Sequence, residues 1–340
     1  MTFNERRAII HKIVDIERLL FAIRFPASGS LFFKDSLDPN VKSVDMAENK
    51  SLQDTGKFCI GPSTEYLWEL YHNQRVDPQV QIRHLSDYLK VAPHLVPKED
   101  QLNLPTIRHP DLSPSNILIS DCGDITGLID WQHATILPIF LLAKIPKHFQ
   151  NYGDDDSENF RRPQLAEDFA NMTSSEKELE MDRYRRRQVH YFYLGYTSEL
   201  NKAHFQAMGK YNLVLRNRLY DTAGRPWEGD NTSLQAQLIK IIGEWSAIAS
   251  EDNCPISYSP AEVEECLDRD AKQNRVNEQL QHVRDFIGIN IDGLVMSEEF
   301  ESARAKAELI KNELAEGADT DEEGREFTKL WPFQDHEEID

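Results

Sequence analysis

Apolar residues recur at helical spacing from the beginning of the chain. Thr2 and Glu5 match a capping box, and isoleucines and leucines then occupy every third or fourth position until shortly before Pro26. This pattern predicts a first helix that ends before that proline. Two short apolar runs, at 30–33 and 57–60, flank a polar stretch and predict a β-hairpin with a long tip.

The middle of the chain combines one helix with several short strands. Asp77 followed by Pro78 is typical of a helix start, and an apolar stripe continues from there. The run at 104–108 predicts a strand that enters a loop. The runs at 116–120 and 125–129 predict a second hairpin around a tight turn, with its first strand buried and polar residues at both ends.

The pattern is helical from Pro163 onward. Aromatic residues dominate 183–208, and apolar residues repeat every three or four positions over 234–248. Ser259 and Glu262 match another capping box, which opens a long polar helix predicted to reach about Phe286. A last helix is predicted to follow Ser297 and to end near Gly317.

Charge narrows the range of partners. The 340 residues carry a formal net charge of −20, which argues against a general nucleic-acid binder because such proteins need cations to displace phosphate counterions. Residues 297–340 hold 15 acidic and 5 basic side chains and predict an acidic helical extension. A more specific interpretation is that this extension binds a protein partner. No apolar run reaches the roughly 18 to 20 residues of a membrane span, so we expect no membrane partner.

The segment from His109 to Asn116 carries the candidate chemistry. Asp111 and Asn116 lie five residues apart on a predicted loop, and Asp130 follows 14 residues after Asn116 at the far end of the hairpin. The hairpin returns Asp130 toward Asp111, which brings three oxygen-bearing side chains around one small volume. Phosphoryl transfer uses such a set, because one carboxylate accepts a hydroxyl proton while an amide and a second carboxylate hold Mg²⁺.

These motifs resemble the aminoglycoside phosphotransferase family of kinase-like enzymes that phosphorylate small molecules. Further segments resemble its fungal branch, the altered inheritance of mitochondria protein 9 group, over roughly residues 5–250. They are RFPASGSLF at 24–32, FCIGPS at 58–63, IDWQHA at 129–134 and PWEGDN at 226–231.

The resemblance implies an α+β, protein-kinase-like fold, mainly the helical C-terminal lobe with a small catalytic hairpin. It implies that Asp111 is the catalytic base, that His109 supports the catalytic loop, and that Asn116 and Asp130 bind Mg²⁺ and thereby the cofactor ATP. The implied substrate is a small molecule with a hydroxyl group. The chain departs from the wider family at Pro110, Ser113 and Ser115, which replace two common glycines and a frequent histidine and bear on substrate geometry.

The ATP-binding elements of a kinase fold are not recognisable upstream of this loop. Residues 1–108 contain only Gly29, Gly56 and Gly61, with no G-x-G-x-x-G among them, and Lys34 fits an exposed hairpin lysine better than a phosphate-binding one. We therefore expect a protein without most of the nucleotide-binding lobe. The alternative to an active phosphotransferase is an N-terminally truncated, catalytically inactive pseudoenzyme that acts as a binding or scaffold protein.

The predicted organisation has three parts. Residues 1–62 form a hinge helix and hairpin, 63–250 a kinase-like phosphotransferase C-lobe, and 251–340 the acidic helical extension with a disordered end. The resemblance also implies a mitochondrial location, although residues 1–12 show no recognisable presequence. Without that resemblance we expect a cytoplasmic protein.

Overall fold

The computed structural model divides the chain into two compact units, Met1–Val263 and Glu264–Asp340. The predicted cap Asp77, the hairpin tip at 47–54 and the PWEGDN segment lie outside the described residues. The three-part organisation expected from the sequence stays a prediction. The structure describes residues 2–46, 55–62, 78–209, 211–224, 232–249, 253–289, 295, 297–317, 320–329 and 331–333.

Helices account for most of the described residues. Those of the first unit are α1 (Phe3–Ala22), α2 (Pro78–Val91), α3 (Ile139–Leu142), α4 (Asp155–Glu158), α5 (Ser174–Leu200), α6 (Lys202–Gly209), α7 (Tyr211–Ala223), α8 (Thr232–Gly243) and α9 (Trp245–Ile248). Helix α10 (Pro260–Ile287) crosses the boundary between the units, and α11 (Phe300–Glu316) and α12 (Asp321–Lys329) follow it.

The strands form a five-stranded antiparallel sheet and a separate two-stranded hairpin. The larger sheet has the order β2-β3-β1-β7-β4, and β5 pairs with β6. The strands are β1 (Gly29–Phe33), β2 (Val44–Asp45), β3 (Phe58–Gly61), β4 (Pro105–Ile107), β5 (Ile117–Ile119), β6 (Ile125–Leu128) and β7 (Thr135–Pro138). The α+β class expected from the sequence is confirmed, whereas the kinase-like assignment stays a prediction.

Helix α1 begins as its sequence pattern predicts. The Thr2 amide donates to Glu5 Oε2 at 2.7 Å, and the Glu5 amide donates to Thr2 Oγ1 at 3.3 Å, so the capping box is complete. The buried face of α1 packs against α5 and the loop after β4. This cluster contains Ile10, Ile13, Val14, Leu112, Phe149 and Tyr193. The first core of the unit is therefore built from the α1 stripe that the sequence shows.

The first predicted hairpin is part of a wider sheet. Strands β1 and β3 pair with Ser30 opposite Gly61 and Phe33 opposite Phe58, which confirms the hairpin. The sequence pattern did not identify β7, which pairs with both β1 and β4. At the start of β1, Gly29 has φ of +146°, and a Cβ there would lie 2.1 Å from the Gly61 carbonyl oxygen. Only glycine fits this close approach.

The second predicted hairpin forms, but its first strand is not buried. Leu118 and Ile119 of β5 are 46% and 44% exposed, which corrects the expectation of a buried strand. The physical reason is that, among the described strands, β5 pairs only with β6 and is not part of the larger sheet. The inner side chains of this hairpin, from Ile117, Ile125 and Leu128, pack against the α1–α5 core.

The second unit has its own apolar cluster. Ile287 at the end of α10, Ala303 and Ala307 of α11, and Trp331 are buried together. Phe327 of α12 packs against this cluster, with its ring centroid 5.5 Å from that of Trp331. The hydrophobic pattern predicted α10 and α11 but did not identify α12. Across the described ranges, no helix combines the length and the hydropathy of a membrane span.

A buried ion pair lies at the centre of the first unit. Arg108 Nε donates to Glu17 Oε1 at 2.9 Å, with the two side chains 8% and 3% exposed. The Tyr193 hydroxyl donates to Glu17 Oε2 at 2.8 Å and lies 3.1 Å from Arg108 Nη2. Arg108 Nη1 also donates to the carbonyl groups of Leu142 and Lys144, at 3.0 and 2.6 Å. These bonds join α1, β4, α5 and the turn after α3.

The network also controls ionisation within the core. Burial lowers the pKa of Arg108, but Glu17 and Tyr193 outweigh that effect and the net pKa is raised. Burial and then the Glu17 charge raise the pKa of Tyr193 well above its usual value. Arg108 therefore remains charged while Tyr193 remains a neutral donor.

Removing Glu17 should destabilise the protein strongly. Glu17→Ala leaves the Arg108 charge buried and unpaired, so we expect a loss of about 3 to 5 kcal/mol in the free energy of unfolding. The matched control is Arg186→Ala, which breaks an exposed ion pair with Asp182 (2.8 Å) and should cost less than about 1 kcal/mol. Urea unfolding followed by circular dichroism measures both, and equal losses would contradict this account.

Histidine 204 gives the fold a predicted pH dependence. Its ring is fully buried, stacks on Phe21 at a centroid distance of 4.8 Å, and places Nε2 3.2 Å from the Lys144 carbonyl oxygen. Burial, and then the positive charge of Arg108, hold its pKa well below the ordinary 6.5. The folded protein therefore keeps His204 neutral at pH values where the unfolded chain is protonated.

Stability should fall as the pH drops below about 6.5. The unfolded chain then binds a proton that folded His204 does not bind, so this contribution is complete above the unfolded pKa and decreases by up to ~1.4 kcal/mol per pH unit below it. His204→Gln should flatten the slope between neutral and mildly acidic pH in urea titrations, while His11→Gln on the exposed face of α1 should not. An unchanged slope in His204→Gln would disprove the assignment.

Candidate functional site

His109 connects the loop after β4 to the end of the second hairpin. Its side chain is 3% exposed, and Nε2 lies 2.8 Å from the Ile129 carbonyl oxygen. Because a carbonyl only accepts, Nε2 carries the proton in this bond. The Trp131 ring meets the imidazole edge-on, with centroids 4.7 Å apart at 67°. His109 Nδ1 is buried without a hydrogen-bond partner among the described residues.

The loop between His109 and Asn116 is held by one buried apolar side chain and one tight turn. Leu112 is 5% exposed and packs in the α1–α5 core. The amide of Asn116 donates to the Ser113 carbonyl at 3.1 Å and closes a 3₁₀ turn over 114–116. Ser113 is also buried, with its hydroxyl 2.7 Å from that of Ser115. Asp111 therefore projects from a loop that is fixed on both sides.

Asn116 bridges the loop to Asp111. Its Nδ2 donates to the Asp111 carbonyl oxygen at 3.0 Å and to Asp111 Oδ2 at 3.1 Å. The side chain is 8% exposed, so these bonds define its orientation. With the amide nitrogen used in this way, Oδ1 is the atom left to bind a cation. Oxygen is the donor that Mg²⁺ prefers.

Asp130 follows the hairpin at a position set by the backbone. The Ile129 amide donates to the Asn116 carbonyl oxygen at 3.0 Å, directly before Asp130. Asp130 has φ of +60°, a left-handed conformation that aspartate tolerates better than most residues. Its carboxylate is exposed and has no hydrogen bond or ion pair among the described residues. It is available to a ligand from solvent.

The structure thus brings together the four residues predicted from the sequence. His109 binds the Ile129 carbonyl, Asn116 binds the Ile129 amide through its own carbonyl, and Asn116 also binds Asp111. Neither Asp111 nor Asp130 has a cationic partner within the described ranges. The result is an exposed, oxygen-rich and negatively charged surface that is supported by the buried side chains of His109 and Asn116.

This donor set fits a hard divalent cation that keeps several other ligands. The described residues contain no cluster of three or more His, Cys, Asp or Glu side chains arranged for a metal. Asn116 and Asp130 offer one amide oxygen and one carboxylate, and Mg²⁺ sites of that kind are completed by water and substrate phosphates. The site is therefore suited to a metal that arrives with a phosphorylated ligand.

Sequence patterns did not indicate two supporting contacts. Lys12 of α1 donates to the Gly123 carbonyl at 2.8 Å and to Asp124 Oδ1 at 2.6 Å, which connects the hairpin turn to α1. These partners are more than 100 positions apart, so no local pattern reveals them. Lys34, which follows β1, forms an ion pair with Asp45 of β2 at 3.0 Å and belongs to the sheet.

Comparison with known proteins shows which family the chain belongs to. A subtelomeric hrmA-associated cluster protein of Aspergillus fumigatus strain Af293 is 30% identical over 406 aligned positions, which include 99% of this chain and 79% of the relative. The chain belongs to the family of that cluster protein. A second subtelomeric hrmA-associated cluster protein, from strain CEA10, is 26% identical with the same coverage.

The altered inheritance of mitochondria protein 9 is a more distant relative of this chain. The Kluyveromyces lactis protein, named as mitochondrial, is 24% identical over 78% of this chain and 52% of its own length. A Saccharomyces cerevisiae counterpart is 24% identical over 75% of this chain and 51% of its own length. The chain spans about half the length of these relatives, and the expected resemblance to them is confirmed. No protein-family model and no solved structure matches the chain.

Replacing His109 should loosen the end of the second hairpin in this protein. His109→Ala removes the bond to the Ile129 carbonyl and the contact with Trp131, so we expect faster amide hydrogen exchange over 125–131 and a loss of about 1 to 3 kcal/mol in stability. His11→Ala removes one exposed ring contact, with Tyr196, and serves as the control. Unchanged exchange at 125–131 in His109→Ala would contradict the proposed support.

Proposed function

We propose that this protein is an ATP-dependent phosphotransferase that phosphorylates a hydroxyl group of a small molecule. The observation that carries the proposal is the Asn116 side chain, which contacts Asp111 at 3.1 Å while its backbone receives the Ile129 amide beside Asp130. The side chain and the backbone of Asn116 thus connect the loop that carries Asp111 to the residue directly before Asp130. The resemblance to aminoglycoside phosphotransferases is part of this proposal.

Asp111 is the proposed catalytic base. In the reaction the hydroxyl oxygen of the acceptor forms a bond to the γ-phosphorus, the bond from that phosphorus to the β,γ-bridging oxygen breaks, and ADP leaves. The acceptor proton passes to Asp111. Asp111 is exposed, and its Oδ2 already accepts from Asn116, so the other oxygen, Oδ1, faces no described donor. That leaves an acceptor atom for the substrate hydroxyl.

Asn116 and Asp130 are the proposed ligands of Mg²⁺ and, through it, of the nucleotide phosphates. When bound, the cation neutralises charge on the phosphate oxygens. Asp130 is suited to this role because its carboxylate has no cationic partner to displace among the described residues. His109 is a positioning residue, since it holds the Ile129 carbonyl immediately before Asp130.

A second candidate is a binding or scaffold protein that keeps this loop without transferring phosphate. The observation that favours it is the exposure of three apolar side chains on the same hairpin, from Leu118, Ile119 and Ile129. Exposed apolar side chains that lie together mark interaction surfaces. The acidic C-terminal region is the other proposed place for a protein partner.

A mitochondrial location is also part of the proposal. It is supported by the names of the altered inheritance of mitochondria protein 9 relatives alone. Fractionation of cells that carry a tagged full-length protein tests this location, and exclusive recovery in the cytosol would contradict it.

Three matched variants test the catalytic assignment. Asp130→Asn should weaken Mg²⁺-dependent binding of a fluorescent ATP analogue by at least about tenfold, because it removes the proposed metal carboxylate. Asp111→Asn should keep nucleotide binding but lower transfer of the γ-phosphoryl group by about 10²- to 10⁴-fold. Asp121→Asn, in the exposed hairpin turn, is the control and should change neither measurement.

The same measurements separate the two candidates. Transfer is followed by labelled γ-phosphate from ATP in a mixture of cellular small molecules, and Asp111→Ala and Asp130→Ala should abolish it without unfolding the protein. Equal transfer by either alanine variant would contradict the enzyme assignment. Absence of any Mg²⁺-dependent nucleotide binding in the full-length protein would favour the scaffold.

A further inference from the structure

A cavity of about 370 Å³ lies between the end of α1 and the beginning of α6. None of the residues from the candidate site at 109–131 lines it. Phe21, Leu104 and Ile139 contribute apolar surface to its wall. Its volume falls within the range of small-molecule sites, which are about 300 to 1,000 Å³. The first unit therefore contains a second concave surface, separate from the catalytic loop.

The charged side chains around this cavity are all cationic. Arg18, Arg24 and Lys202 line it, and none of its lining residues is aspartate or glutamate. Arg18 forms an ion pair with Asp15 at 2.8 Å, whereas Arg24 and Lys202 have no ion pair within the described ranges. In a chain with a net charge of −20, uncompensated cations around one cavity indicate an anionic ligand.

A buried asparagine forms part of the same wall. Asn201 is 7% exposed, and its Nδ2 has less than 1 Å² of accessible surface and no hydrogen-bond partner among the described residues, so a ligand in the cavity does not contact that atom. Its Oδ1 accepts from the His204 amide at 3.4 Å. Asn201 therefore holds the beginning of α6 in place and contributes to the shape of the wall.

The backbone adds further donors beside Asn201. Helix α6 has eight residues, and its first residues, Lys202 and Ala203, both line the cavity. The first amide groups of a helix have no partner within the helix, and the helix dipole favours an anion at that end. Side-chain cations and a helix N-terminus therefore converge on one cavity.

We propose that this cavity binds a small organic phosphate. Arginine pairs well with phosphate oxygens because its planar guanidinium donates two parallel hydrogen bonds, and Lys202 adds a second charge for the dianion. The apolar wall from Phe21, Leu104 and Ile139 fits the carbon skeleton of such a ligand. This site is additional to the proposed phosphotransferase site and does not depend on nucleotide or Mg²⁺.

Calorimetric titration of the full-length protein tests the proposal without ATP or Mg²⁺. The probes are glycerol 3-phosphate, inorganic phosphate and succinate at matched ionic strength. We expect saturable binding with glycerol 3-phosphate tightest, since it alone combines a phosphate with a carbon skeleton. The double variant R24Q/K202Q should weaken it by at least about tenfold.

A matched control separates local contacts from net charge. R162Q/K98Q also removes one arginine and one lysine, both exposed and without an ion pair in the described part of the chain, and neither lines the cavity. It should change glycerol 3-phosphate affinity by less than about twofold, because exposed distant charges are screened. Equal weakening by the two double variants would overturn the proposal.

A second measurement on the unaltered protein does not depend on the folding of a variant. Acetylation by acetic anhydride, read by peptide mass spectrometry, should be slowed at Lys202 by glycerol 3-phosphate and unchanged at Lys98. No saturable binding of glycerol 3-phosphate up to about 10 mM, tighter binding of succinate than of either phosphate, or no protection of Lys202 would each overturn the proposal.

Discussion

The buried ion pair between Arg108 and Glu17 determines where the candidate site lies. Arg108 is the residue directly before His109, and its guanidinium contacts α1, α5 and the carbonyl groups after α3. A buried arginine must be paired on nearly all its donors, so its neighbours cannot move independently. The loop that carries Asp111 therefore starts from a point that is held by several elements of the first unit.

The site combines buried supporting residues with an exposed surface. His109, Leu112 and Asn116 are buried and hold the backbone, whereas the Asp111 and Asp130 carboxylates face solvent. Such a division suits chemistry on a ligand that arrives from outside, because positioning comes from packed residues while the reacting groups stay accessible. The cationic cavity near α6 has the opposite charge and is built from different elements. We therefore expect the two sites to bind different ligands, each without the help of the other.

The larger sheet and the small hairpin play different parts. Strand β7 pairs with β1 and with β4, so the sheet connects the first hairpin to the strand that leads into Arg108. The hairpin of β5 and β6 depends instead on its inner side chains and on the Lys12 contact with its turn. Leu118 and Ile119 of this hairpin stay exposed, which is the feature that favours a partner-binding role.

Local sequence information determined most of the longer helices, the two hairpins and the candidate residues. The Thr2 capping box, the α1 stripe and the two apolar runs around a turn at 116–129 are short-range patterns, so they could be recognised along the chain. The spacing of Asp111, Asn116 and Asp130 placed them at the ends of one hairpin for the same reason. Only the tertiary structure decided that β7 joins the sheet, that β5 is exposed, that Arg108 pairs with Glu17, and that Asn201 lies beside three cations. These features depend on contacts between residues far apart in sequence, where packing and burial, rather than local propensity, set the free energy.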